Sequence, residues 1–116
     1  MVLREKFESE LKELKLKVID MERFASSALN KSYRALLKND VELALSVIED
    51  DKKLDKMEEE LDERAILMIA KQQPVATDLR RVVSAIKIGS EIERVGDYAK
   101  NISKTAFRLS KEEKPF

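Results

Sequence analysis

Apolar residues recur along this chain in alternating steps of four and three. From the amino end, Phe7, Leu11, Leu14, Val18, Met21, Ala25, Ala28, Ser32 and Ala35 form one such series. That rhythm is the seam of a helix packing in coiled-coil fashion. A second series runs through Leu43, Val47, Asp50, Leu54, Met57, Leu61, Arg64 and Met68. The third stretch carries a wider arc of Val75, Leu79, Val82, Ile86 and Ile92, with Ala85, Gly89, Gly96 and Ala99 beside them and Val95, Ile102 and Leu109 on a further flank. A helix apolar around so much of its girth touches more than one partner. Gly89 and Gly96 stand seven apart on one face, and each costs about 1 kcal/mol of helix propensity, which the close approach of another helix would justify.

Breakers between these stretches are sparse. At Lys38-Asn39-Asp40, Asn39 can cap a new helix with Glu42 three residues on; at Gln72-Gln73-Pro74, Pro74 suits a first helical turn. The predicted helices therefore cover about 3–37, 40–72 and 74–110, each ~50 Å long at 1.5 Å per residue. Short links between long helices imply antiparallel neighbours, hence an all-α, up-down-up three-helix bundle over residues 1–110. Residues 111–116 read as a polar tail that frays.

Composition narrows the chemistry. Of 116 residues 40% are charged and 43% apolar, with two glycines, two prolines, and neither cysteine nor histidine. So few turn residues exclude a strand-rich fold. Thiolate clusters, zinc fingers, disulfides and histidine bases are excluded as well, and any metal would be held by oxygen alone. Balanced charge, 23 basic against 23 acidic residues, argues against a general nucleic-acid binder. The longest apolar run, Ala65 to Ala70, falls far short of the ~20 residues of a spanning helix. No apolar signal core opens the chain, so the expectation is a soluble cytoplasmic protein without direct membrane insertion.

Certain acids sit where packing residues belong. At 100° per residue Asp51, Asp55, Glu58 and Asp62 fall in one narrow stripe, collinear with Ala44, Ile48 and Ile69. On the third helix Glu93 continues the line of Val75, Val82 and Ile86, and Asp97 follows one turn later. Like charges four apart destabilise a helix by a few tenths of a kcal/mol unless a cation offsets them. Acids so spaced on two adjacent helices can converge into hard oxygen donors suited to magnesium, manganese or ferric iron. The plainer alternative is a solvated face neutralised by Lys52, Lys56, Arg64, Arg94 or Lys100. The stretch Gln72 to Arg81 reads either as helix punctuation, with Asp78 at the positive end of the dipole, or as a polar junction where Arg80 and Arg81 meet an anion. Met21, Met57 and Met68 fall on the seams and read as core filler.

Gln73-Pro-Val-Ala-Thr-Asp78-Leu-Arg80, Lys87-Ile88, and Glu91-Ile-Glu93-Arg94-Val-Gly96-Asp97-Tyr-Ala-Lys-Asn101-Ile102 closely resemble the PhoU family of phosphate-uptake regulators. Asp51-Lys-Lys-Leu-Asp55 matches that family's other acidic motif, and Arg4 to Leu14 resembles its opening helix. The resemblance implies a three-helix bundle whose acidic motifs bind metal ions, often as multinuclear clusters. Carried over by position, the ligands would be Asp51, Asp55, Glu93 and Asp97, and Asp78, Arg94 and Asn101 belong to the matching motifs; Glu58 and Asp62 of the acid stripe would stand in support. It further implies a negative regulator that docks on the phosphate ABC transporter and a sensor histidine kinase. Two departures stand out. Typical members hold two bundles in tandem, so here a homodimer or a tandem partner would supply the second, and Tyr98 replaces a frequent histidine. The competing readings are a purely structural or adaptor bundle without metal, and a di-iron carboxylate enzyme, which would need histidine ligands this chain lacks.

Overall fold

The computed structural model describes residues 2–112. Three helices, α1 (Val2–Lys38), α2 (Val41–Gln72) and α3 (Ala76–Ser110), run up, down and up in a rod 65 Å long and 18 Å by 16 Å across. All three are amphipathic and all three pack on one another. Of the polar tail, Lys111 and Glu112 form a closing turn, whereas 113–116 lie outside the described residues.

The links differ slightly from the sequence expectation. Asn39 does not cap α2. It closes α1 in the left-handed conformation (φ 54°), and the Asp40 N–H bonds Ala35 O at 3.0 Å, the long-range bond of a Schellman stop. Asp40 then caps α2 by accepting from the Leu43 N–H at 3.1 Å. Nor does Pro74 open α3. A proline disfavours helical conformation in the residue before it; α2 ends with Gln73 left-handed, and an extended Val75 redirects the chain before Ala76.

In α1 the seam is as read: Phe7, Leu11, Leu14, Met21, Ala25, Ser32 and Ala35 are buried, Val18 and Ala28 half-buried. In α2 half of the seam is as read, at Val47, Leu54, Leu61 and Met68, and the alternate positions lie one residue over. Its buried residues are Ala44, Val47, Asp51, Leu54, Leu61, Ala65 and Met68, while Asp50 is half-buried and Arg64 exposed. The larger Leu43 and Met57 mislead, because they pack only from the flank and small alanines hold the centre. In α3 the buried series is Val82, Ala85, Gly89, Ile92, Gly96, Ala99, Ser103 and Ala106. Val75 and Leu79 fall outside it, 76% and 36% exposed, since they precede the point where α3 settles between its partners.

The glycines do admit another helix. A Cβ on Gly89 would stand 2.5 Å from Leu61 Cδ2, and one on Gly96 would collide with Leu54 Cδ2. Leu54 and Leu61 are completely buried, each worth about 1.5–3 kcal/mol. A step of seven down α2 is thus met by a step of seven up α3, which fixes the antiparallel register of the pair. Gly89→Val is expected to destabilise the bundle by about 1–3 kcal/mol, through overpacking. Urea unfolding of Gly89→Val, Leu61→Ala and the double variant measures it. The double variant should lose less than the two single losses combined, because the shortened side chain vacates the space that valine enters.

Candidate metal centre

That register brings the acids of α2 and α3 together. One carboxylate oxygen from each of Asp51, Asp55 and Glu93 lies within 4.8 Å of the others. Asp51 and Asp55 are one turn apart on α2; Glu93 comes from α3, one turn before Gly96. Gly96 packs beside the cluster: a Cβ there would stand 3.5 Å from Asp51 Oδ1, an ordinary contact, so it is Leu54 that requires the glycine. Asp51 occupies a seam position and is 6% exposed, whereas Asp55 is exposed and Glu93 half-buried. The site is therefore a rim cluster with one acid sunk into the core.

Its electrostatics show the strain of gathering like charges. Burial, then the neighbouring carboxyl and charge of Asp55 and the charges of Glu58 and Asp51, push the Glu93 carboxyl up from 4.5 to about 8. Burial and then Asp55 raise Asp51 too, against the pull of Lys100, whose Nζ stands 3.5 Å from Asp51 Oδ2. Glu58 is raised by burial, Asp62 and Asp55, and Asp62 by burial. Two carboxylate oxygens, Glu93 Oε2 and Asp62 Oδ1, are buried without a hydrogen-bond partner. A protonated acid or a cation relieves such a cluster; the all-oxygen donor set suits a hard cation.

The remaining sequence candidates are distributed unevenly. Asp97 is exposed and lies outside the tight trio, close enough that its charge raises Asp51 and Glu58. Glu58 and Asp62 continue the stripe along α2, at the margin of the trio. Asp78 is remote: fifteen residues of α3, ~22 Å at 1.5 Å per residue, separate it from Glu93. Arg94 is exposed and pairs with Glu91 at 3.7 Å, and Asn101 is exposed, its carbonyl accepting from Thr105 Oγ1 at 3.1 Å. Of the proposed neutralising cations Lys100 alone is seen at the trio, while Arg64 crosses to Glu13 of α1 at 2.8 Å.

Asp78 has a different partner set, which the sequence reading missed. The Arg4 guanidinium beside it holds its carboxyl below the ordinary range, and Arg81 adds to the effect. Arg81 also forks onto Glu8 at 2.8 and 3.0 Å, and both arginines stack over Phe7. Arg81 is thereby committed to carboxylates and does not serve an anion site. Opposite charges four apart in α1 and three apart in α3 were the signal for this junction.

An antiparallel three-helix bundle with converging carboxylates on two helices is the class defined by this geometry. Residues 18–106 match the PhoU domain, and the chain belongs to the PhoU family. It is 44% identical over 104 residues to the phosphate-specific transport system accessory protein PhoU homolog of Rhizobium meliloti, covering 90% of this chain and 44% of that one. It is likewise 44% identical over 103 residues to the homolog of Aquifex aeolicus, covering 89% and 47%. The crystal structure of PhoU from Pseudomonas aeruginosa superposes with a TM-score of 0.88 at 31% identity, over 93% of this chain and 52% of that one. The chain spans about half the length of these relatives.

Glu93 gives the metal-free protein a distinctive pH dependence. The folded state keeps its proton up to about 8, whereas the unfolded state releases it near 4.5, so stability should fall as pH rises between those values. Asp51, Glu58 and Asp62 act in the same direction. Urea midpoints in chelator at pH 5, 7 and 9 check this, and Glu93→Gln should flatten much of the decline.

Proposed function

We propose that this bundle is a metal-binding regulatory module of phosphate-specific transport, a negative regulator of phosphate uptake and signalling that acts by docking on other proteins. The observation that carries the reading is the Asp51, Asp55 and Glu93 trio, built from two helices of a chain in the PhoU family. Relatives named as accessory proteins of a phosphate-specific transport system support a regulatory role over a catalytic one. The partners on this reading are the phosphate ABC transporter and a sensor histidine kinase, and two copies of the bundle associate.

Asp51, Asp55 and Glu93 would hold the ion, iron, manganese or magnesium, singly or in a multinuclear cluster, with Asp97 as the further ligand the family motif supplies. Such an ion contributes positive charge and crosslinks α2 to α3. Glu58 and Asp62 extend the negative field along α2. Asp78 instead anchors the start of α3 to α1, and Arg94 and Asn101 remain on the exposed side of α3 as contact residues. One observation favours the alternative, a purely structural or adaptor bundle without metal: Lys100 already offsets part of the charge on Asp51.

Metal analysis of protein purified without chelator separates the two. The wild-type chain should retain metal, and Asp55→Ala and Glu93→Ala should lose it. A chelator should lower the wild-type melting temperature and leave the variants unmoved, since a ligand of the folded state adds about 2.7 kcal/mol at a hundredfold excess over Kd. Equal metal content in all three proteins would refute the assignment.

A further inference from the structure

We infer that Lys100 is the built-in counter-cation of the acidic site: its ammonium group holds Asp51 in the metal-free protein, and a metal ion enters by displacing it. This rests on the metal reading above and deepens it, by naming the residue that sets how tightly the site binds and which class of ion it admits.

Asp51 is the acid with the greatest need of a cation. It is 6% exposed, and both of its oxygens face α3, Oδ1 toward Gly96 and Oδ2 toward Lys100. Water has little access to such a carboxylate, and a buried charge without a partner is costly. Lys100 is that partner, with its Nζ 3.5 Å from Asp51 Oδ2. Among the described residues no other lysine or arginine forms an ion pair with Asp51, Asp55 or Glu93. Lys53 turns instead to Asp50 at 3.3 Å, and Arg94 to Glu91 at 3.7 Å.

The lysine is also placed to leave. Its side chain is 35% exposed, so the ammonium group can withdraw into water on its flexible stem while the bundle stays closed. Leu54 packs on Gly96 and Leu61 on Gly89, and on the antiparallel scale those contacts define, Asp51 and Asp55 fall between the levels of Lys100 and Glu93. One end of the site is therefore bounded by an acid and the other by a releasable cation.

Charge decides the exchange. The ammonium group engages one carboxylate, Asp51, whereas an ion among the trio would meet three. A divalent or trivalent ion gains enough from three carboxylates to displace the lysine, and sodium or potassium does not. Arginine would suit this task less well, because its planar fork clamps a carboxylate with two bonds. By linkage, whatever Lys100 contributes to the metal-free fold weakens ion binding by the same factor.

Manganese(II) titration of the full chain, followed by the electron paramagnetic resonance signal of the free ion, tests this beside urea unfolding in chelator. Lys100→Met should bind manganese at least about tenfold more tightly than wild type, while Lys104→Met, which removes an equal charge one turn on, should stay within about twofold. Lys100→Gln should follow Lys100→Met, and Lys100→Arg should bind more weakly than wild type. In chelator, Lys100→Met should lower the urea midpoint, and should no longer do so once Asp51→Asn has removed the charge it serves. Equal manganese affinity in wild type and Lys100→Met, or an equal midpoint change in both backgrounds, overturns the role of Lys100 and leaves the metal reading standing. Uptake by Lys100→Met alone supports that role and overturns the wild-type chain as a metal binder. Uptake by neither protein overturns both.

Discussion

Everything in this bundle depends on how closely α3 lies against α2. Two leucines of α2, both fully buried, occupy the volume that side chains at Gly89 and Gly96 would fill. The helix propensity forgone at each glycine, about 1 kcal/mol, is offset by the apolar area that Leu54 and Leu61 bury. The same contact has a second effect. With the helices locked in that register Glu93 can stand only beside Asp55 and Asp51, so the packing that stabilises the rod also assembles its most unfavourable charges.

Asp51 shows how that conflict is managed. It holds a seam position between Val47 and Leu54, where an aliphatic side chain would stabilise the core. Instead the position carries a carboxyl that burial and Asp55 push toward protonation and that Lys100 only partly relieves. Glu58, one heptad on, repeats the substitution at the next equivalent level. Local rules are broken at successive levels of one helix and on one side only, so the like charges accumulate along a single stripe instead of spreading over the surface.

The helical class, the number of helices and the antiparallel order were legible because heptad periodicity and two breaker clusters depend on local sequence alone. Helix ends were less so: Asn39 and Asp40 are both good caps, and only the left-handed turn at Asn39 decides between them. Alternate positions of the α2 seam were misread by one residue, because Leu43 outweighs Ala44 in any hydrophobic pattern although close packing favours the small residue, and because the inward positions 51 and 58 carry acids. For the acids, spacing placed Asp51, Asp55 and Glu93 on inward lines but could not show which would meet. That required the offset between α2 and α3, a tertiary quantity fixed by Gly96 and Leu54. Of the Arg4, Glu8, Asp78 and Arg81 junction only the local pairs, four and three apart, left a signal in the sequence; their meeting was hidden for the same reason, since α1 and α3 bring them from opposite ends of the chain.

Helix α3 is common to both of the bundle's unusual surfaces, and its composition follows from that. Toward α2 it presents Glu93 and Lys100; toward α1 and beyond it presents Ile88, Val95 and Tyr98; between them small residues let it sit deep. On the proposed reading, an ion held by Asp51, Asp55 and Glu93 ties α3 to α2 in the register that the glycines already set. Close-packed interiors transmit such a constraint instead of absorbing it. A cation at the acids would thus reinforce the same α2/α3 contact that brings those acids together.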